Sequence, residues 1–153
     1  MKKPEFDTKA AHKYFAAGCF NRAWDLLDKS ERSPEEDEQM IALSHASIWH
    51  WTQRDDCTDT NLSVGYWQAS RIYALLGQTE NARRYGQLSL KYSEDSEPFY
   101  VAYAYEALAR AESLAGDKAK SKEYLELAGK LAESVSDAEW KKILMDDLAT
   151  ITG

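Results

Sequence analysis

The stretch EPFYVAYAYEALARAESLAG, residues 97–116, is the part of the chain that decides its fold. Its second residue, Pro98, is at a position near a helix start that can accommodate a proline. The stretch ends at Gly116, and glycine commonly stops helices. Between these two signals the residues are apolar on nearly every side, as in a helix enclosed by other helices. The stretch therefore predicts a buried central helix over residues 97–115.

Helical spacing continues on both sides of this central stretch. Between Leu62 and Leu76 the apolar residues step alternately by four and three, and between Trp140 and Ile151 they step by four, four and three. Each set therefore lies on one face of a helix. Glycine and proline are scarce, with seven and three residues, which favours long helices over many short strands.

Start and stop signals divide the chain into eight predicted helices. Capping patterns at residues 33–36 and 136–139 mark two starts. Gly18, Gly77 and Gly116 mark three ends, because glycine takes the left-handed conformation without steric cost. The short connections predict that neighbouring helices pack antiparallel. The predicted helices cover residues 7–17, 20–31, 35–53, 61–76, 79–92, 97–115, 118–134 and 137–150.

The composition excludes several classes of protein. A length of 153 residues predicts a single domain over residues 1–153. The net charge is -7, and no run of Lys and Arg supplies the basic stripe that phosphates require, so neither nucleic acid nor an anionic membrane is expected as a partner. No apolar run approaches the roughly 20 residues that cross a bilayer, and residues 1–7 lack the apolar core of a signal peptide. We therefore expect a cytoplasmic protein.

An internal repeat links the middle and the C-terminal half of the chain. Gly77 and Gly116 are 39 residues apart, and each closes a predicted helix. Small residues at matching positions would let two helices approach closely, and large ones would fill the gap to the next pair. The first unit contains Tyr66, Ala69, Ser70, Tyr73, Gly77, Ala82 and Leu90. The second contains Tyr105, Leu108, Ala109, Gly116, Leu125 and Ala128, and a shorter match contains Tyr14, Gly18, Ala23 and Leu27.

This pattern resembles the tetratricopeptide repeat, a pair of antiparallel helices with a glycine between them, and the resemblance covers about two thirds of the chain. It implies an all-α fold of helical hairpins stacked as a short, irregular, right-handed superhelix. It also implies a groove that binds a protein or peptide. Ser121 and Glu112 depart from the repeat pattern, and the helix predicted over 35–53 has no partner in the simple pairing.

Three segments, residues 45–51, 67–73 and 104–110, are also similar to a group of small bacterial tetratricopeptide-like proteins. This second resemblance supports the same fold and implies no particular activity.

Two histidines lie in the helix predicted over residues 35–53. His45 and His50 are five residues apart, which places them about 140° around the helix, so they cannot hold one metal ion together. No metal site is therefore predicted. His45 lies on an apolar stripe, where it is either a core histidine with one hydrogen bond or a residue that contacts a ligand. His50 is expected to be half exposed.

Glu106 is a carboxylate within the most apolar helix. It requires a partner, because burying an unpaired charge is costly. Arg110 shares its helix face four residues further on, and Arg71 is a second option if neighbouring hairpins stack. Glu106 is therefore either a structural clamp between hairpins or the polar floor of a groove that receives a peptide or a small anion.

The sequence contains none of the motifs that mark common catalytic or cofactor sites, so no catalytic residue and no cofactor is predicted. The first hypothesis is a non-catalytic protein- or peptide-binding module, with a second copy of the chain (a homodimer) among the expected partners. Its groove would lie near the helices predicted over 35–53, 61–76 and 97–115. The alternative is a small-molecule-binding protein or an enzyme that uses His45 or His50 with Glu106. The candidate groove residues are His45, Trp49, His50, Trp67, Arg71, Glu106 and Arg110.

Overall fold

A computed structural model describes residues 1–2 and 5–152. The expectation for residues 1–7 and the end of the predicted domain involve Lys3, Pro4 and Gly153, which lie outside the described residues. The described part of the chain is all-α, without strands. Its seven helices are α1 (Thr8–Leu27), α2 (Pro34–Thr52), α3 (Asp59–Leu75), α4 (Thr79–Ser93), α5 (Pro98–Ala115), α6 (Lys118–Glu133) and α7 (Ala138–Ala149).

The prediction of eight helices is wrong at the N-terminus, where 7–17 and 20–31 form the single helix α1. Gly18 lies inside this helix, and the only glycines with positive φ among the described residues are Gly77 and Gly116. Ala16 and Ala23, on either side of Gly18, are both fully buried. Both halves of α1 pack on α2, where Ser47 donates to the carbonyl of Ala16 and Met40 packs against Ala23. This packing keeps the helix continuous through Gly18, which a glycine permits at a modest cost.

Side-chain caps fix the starts of several helices. Ser33 and Glu36 form the predicted capping box at the start of α2. Thr58 and Asn61 form a second one, which moves the start of α3 from the predicted residue 61 to Asp59. In each pair the cap side chain accepts from a backbone N–H of the first turn, and the partner side chain reaches back to the cap.

Consecutive helices pack as hairpins. The pairs α1–α2, α3–α4 and α5–α6 make the most extensive contacts, α3 also packs on α5, and α5 packs on α7. The connections are short, so the helices of each pair run antiparallel. Of the first helices of successive pairs, α5 packs directly on α3, and α2 packs on α3 from the preceding pair. Helix α1 reaches α3 through side chains, as where the amide of Gln68 on α3 donates to the backbone carbonyl of Phe20 on α1.

The 39-residue repeat is present in the backbone. Helices α3 and α5 start 39 residues apart, and so do α4 and α6. Gly77 and Gly116 take the same left-handed conformation, with φ of 72° and 80°. Stacked tyrosines also recur, Tyr66 on Tyr85 with ring centroids 6.1 Å apart and Tyr105 on Tyr124 at 5.9 Å.

In each repeat unit one serine hydroxyl bonds the two helices together where they cross. The serine is on the first helix of one unit and on the second helix of the other. In α3 the hydroxyl of Ser70 donates to the backbone carbonyl of Ala82 at 2.7 Å. In the next unit the hydroxyl of Ser121 on α6 donates to the carbonyl of Ala109 at 3.0 Å. Position 70 corresponds to 109 and position 82 to 121, so donor and acceptor have changed places. Ser121, which departs from the repeat pattern in sequence, therefore keeps the same contact.

Replacing Gly18 by alanine tests whether α1 is continuous. Nothing lies within 4 Å of a Cβ built at Gly18, so Gly18→Ala should raise the free energy of unfolding by about 0.5–1 kcal/mol, the cost of a glycine in a helix. Gly116→Ala is the matched control, and should lower it by roughly 1–2 kcal/mol because an alanine is strained at positive φ. Urea unfolding measures both. A destabilised Gly18→Ala variant would show a turn at this position.

Candidate functional site

A buried ion-pair network lies at the junction of α3 and α5. Its centre is Glu106, whose side chain is fully buried. Trp67 donates its indole N–H to Oε2 at 2.9 Å, and Arg71 donates from Nη1 to Oε1 at 3.2 Å. Arg110 donates from Nε to Oε1 at 2.9 Å. The structure therefore brings four of the seven candidate groove residues together, and it pairs Glu106 with both of the arginines that the sequence offered.

A second carboxylate, Asp147 on α7, completes the network. The Tyr103 hydroxyl donates to Oδ2 of Asp147 at 2.8 Å, and Nη2 of Arg71 lies 3.7 Å from Oδ1. Burial, and then the bond to Asp147, raises the pKa of Tyr103 above its ordinary range, so this hydroxyl remains a donor. Two arginines now face two carboxylates, and the network has no net charge.

Because the network is neutral, the positive charge of Arg71 is already paired and does not require an acidic group from a partner. Arg110 is also tied to α7, since its Nη2 donates to the Thr150 hydroxyl at 2.8 Å. The arrangement favours the clamp interpretation of Glu106. It joins three helices that are far apart in sequence, and it leaves only the outer edges of the two guanidinium groups facing the solvent.

A second clamp holds α4 against α5. Arg83 donates to both carboxylate oxygens of Glu112, at 2.8 and 2.9 Å. The hydrogen bond from Arg83 is the main reason why the pKa of Glu112 lies below its ordinary value. Glu112 stands where the repeat pattern has an aromatic residue, so this departure from the pattern is occupied by an ion pair between neighbouring hairpins.

His45 lies on the other side of α3 from the network. Its Nε2 is 2.9 Å from the Tyr73 hydroxyl, and the Tyr85 ring packs against it edge-on at 5.2 Å. Tyr73 and Arg71 are two residues apart, which places them about 200° apart around the helix. His45 on α2 and Glu106 on α5 therefore lie against different faces of α3, and no hydrogen bond joins them. Burial lowers the pKa of His45.

His50 pairs with a residue that the sequence analysis did not single out, His12 on α1. The two Nδ1 atoms are 2.8 Å apart, so one ring donates and the other accepts, which requires different tautomers. The Phe15 ring stacks on His50 at 5.4 Å. Trp49, which is 54% exposed, packs edge-on against both histidines. Burial, and then the nearby His12, lowers the pKa of His50.

The network lies in the middle of a face shared by α3 and α5. Four positions of each helix, spaced by three, four and four residues, form a stripe on this face. On α3 these are Val64, Trp67, Arg71 and Leu75, and on α5 they are Tyr103, Glu106, Arg110 and Leu114. Each residue of the first set is 39 residues from its counterpart in the second, so the face is built from equivalent positions of the two repeat units.

A pocket opens at each end of this face. The aromatic pocket, with a volume of 210 Å³, is lined by Ser63, Val64, Trp67, Ser89, Phe99, Tyr100 and Tyr103. The leucine pocket, with a volume of 290 Å³, is lined by Leu27, Arg71, Ala74, Leu75, Arg110, Ser113, Leu114, Thr150, Ile151 and Thr152. The helices that line the two pockets include α1, α3 and α5, whereas the groove was expected near α2, α3 and α5. Leu27, the last residue of α1, lines the leucine pocket, whereas no described residue of α2 lines either pocket.

Glutamine at position 106 tests the clamp. Glu106→Gln leaves two largely buried arginines with one carboxylate, so the free energy of unfolding should fall by about 3–5 kcal/mol, as when a buried pair loses one partner. Glu126→Gln is the control, because Glu126 is exposed and pairs only loosely with Lys122, and should change stability by less than about 0.5 kcal/mol. Urea unfolding measures the loss of stability in both variants. Equal losses in Glu106→Gln and Glu126→Gln would contradict the clamp.

Lowering the pH should destabilise the protein through His45 and His50. Both pKa values lie below 6.5, the ordinary value, so the unfolded chain binds more protons than the folded one. The free energy of unfolding should therefore decrease as the pH falls from about 7 to 5.5. The double variant His45→Gln/His50→Gln should flatten this slope. The lowered pKa of Glu112 acts in the same direction but below about pH 5, so a slope that survives in the double variant would rule out the histidines as its source.

Comparison with known proteins does not identify this chain. No protein-family model, no curated protein and no solved structure matches it. None of the helices among the described residues is long and apolar enough to cross a membrane.

Proposed function

We propose that the chain is a non-catalytic, cytoplasmic, peptide-binding module of the tetratricopeptide type. What supports the type is the 39-residue repeat together with the pairing of consecutive helices. In such a module the first helices of successive hairpins share a face, and the proposed binding face is that of α3 and α5, with Leu27 of α1 at its edge. The partner is a peptide segment of another protein or of a second copy of the chain.

The observation that carries the proposal is the presence of a pocket at each end of this face, with a neutral network between them. The aromatic pocket is apolar, and the leucine pocket combines leucines with the edges of Arg71 and Arg110. Val64 in the aromatic pocket and Leu75 in the leucine pocket are eleven residues apart on α3, which is about 16 Å along the helix axis. An extended peptide covers that distance with about five residues. One peptide can therefore place an apolar side chain in each pocket at the same time.

The chemistry of the face selects a peptide of low charge. Leu75 and Leu114, at equivalent positions, are 49% and 50% exposed, and would be covered by an apolar side chain. Arg71 and Arg110 are already paired with Glu106 and Asp147, so the peptide need not supply a carboxylate. The net charge of -7 repels strongly acidic partners. The guanidinium edge of Arg110 in the leucine pocket can donate to a peptide carbonyl.

Selection from a displayed library of random peptides tests the proposal. We expect enriched peptides to share two apolar residues separated by about four positions, a spacing that matches the distance between the pockets. Leu75→Glu and Leu114→Glu should each weaken binding at least about tenfold, because each replaces half-exposed apolar surface that the peptide would cover with a hydrated carboxylate. Met145→Glu, at an exposed position of α7, is the matched control and should bind normally.

Two results would overturn the proposal. One is a library from which no peptide is enriched, and the other is unchanged peptide binding in both leucine variants. Analytical ultracentrifugation of the peptide-free chain separates the two kinds of partner, since a second copy of the chain would appear as a dimer that the Leu75→Glu variant dissociates.

A further inference from the structure

The floor of the aromatic pocket offers no free hydroxyl proton. Ser63 on α3 and Ser89 on α4 are both buried. The Ser63 hydroxyl donates to the backbone carbonyl of Ser89 at 2.9 Å, and the Ser89 hydroxyl donates to the carbonyl of Ser63 at 3.0 Å. The two bonds use both donors and hold the helices close together. A group that enters the pocket therefore gains nothing by accepting a hydrogen bond from its floor.

The polar ends of two aromatic walls point away from the pocket. The indole N–H of Trp67 is bonded to Glu106, and the hydroxyl of Tyr103 is bonded to Asp147. Their rings pack edge-to-face with centroids 5.0 Å apart, and Phe99 meets Tyr103 in the same way at 5.0 Å. The pocket is therefore walled by ring edges and faces, which suit another aromatic ring. The buried network thus also keeps the pocket apolar.

The internal repeat explains why there is a pocket at this position. The close helix crossing at Ser63 and Ser89 corresponds to Ala102 and Ala128 in the second unit, which are also small and buried. The residue after Ser63 is Val64, and its counterpart is Tyr103, which is buried in a core cluster with Ala128. One unit therefore fills this position with a tyrosine, whereas the other has a valine and an open pocket.

The size of the pocket limits what it can hold. Its volume is 210 Å³, whereas a cavity of about 150 Å³ is enough for benzene and drug-sized ligands need about 300 Å³ or more. One ring or two fused rings therefore fit. A charged ring is disfavoured, because no charged side chain lines the pocket among the described residues and burying an unpaired charge is costly.

We propose that the aromatic pocket binds one uncharged aromatic ring system, between benzene and indole in size. The ring is either a free small molecule or an aromatic side chain of a bound peptide. The inference rests on the proposed function only for the second source, since the pocket is one end of the proposed peptide groove. The free ring is bound whether or not a peptide binds.

Titration with indole, followed by nuclear magnetic resonance, tests this inference. Indole should shift the Val64 methyl signals in a saturable way and give nuclear Overhauser contacts to Val64 and the Phe99 ring, whereas benzoate, which is charged, should not. These shifts and nuclear Overhauser contacts are measured on the wild-type chain. Val64→Phe should fill the pocket, as Tyr103 does in the other unit, and weaken indole binding at least about tenfold. Met145→Phe, an exposed change of the same kind on α7, should bind indole normally.

The same experiment separates the two sources of the ring and the two proposals. If the ring comes from a peptide, enriched peptides will carry Phe, Tyr or Trp at one anchor and indole will compete with them. If indole binds but no peptide is enriched, the pocket stands and the peptide-binding function fails. If peptides bind while indole gives no saturable shift or contact, or if Val64→Phe binds indole as the wild type does, the inference is overturned and the peptide function remains.

Discussion

The rest of this structure depends on the ion pairs and hydrogen bonds made by the buried carboxylate of Glu106. A charge buried in a mostly apolar helix is tolerated only if nearby groups replace the water it has lost. Here two guanidinium groups and one indole N–H do so, and Asp147 balances the second arginine. The same contacts fix how α3, α5 and α7 lie against one another. They also turn the polar ends of Trp67 and Tyr103 away from the aromatic pocket.

The network arises from a difference between equivalent positions of the repeat. Trp67 and Glu106 correspond to each other, as do Arg71 and Arg110. If both units had glutamate at the first position, the two carboxylates would lie on the same shared face, and if both had tryptophan the arginines would lose their main partner. A strict repeat could not build this junction. The same reasoning applies to Val64 and Tyr103, where the smaller residue of the pair leaves the pocket.

Sequence reasoning predicted the centre of the ion-pair network but not its edges. The pair of Glu106 and Arg110 follows from their spacing on one helix, and Arg71 follows if hairpins stack. Asp147 was missed, although it lies three residues after Leu144 and four before Ile151, on the packed stripe of α7. That position was a usable signal for a partly buried carboxylate. His12 carried no such signal, because its pairing with His50 depends on how α1 lies against α2.

Local interactions explain what the sequence determined by itself: the helical class, most helix ends and the 39-residue repeat. Caps, proline at a first turn and glycine with positive φ act within a few residues, so they can be read along the chain. Gly18 shows the limit of this, because packing on both sides of it keeps α1 helical against a local stop signal. Only the tertiary structure decided that Asp147 meets Arg71, that His45 lies away from Glu106 and that the space beside Val64 is open. These outcomes depend on contacts between helices distant in sequence, whose free energies no local pattern contains.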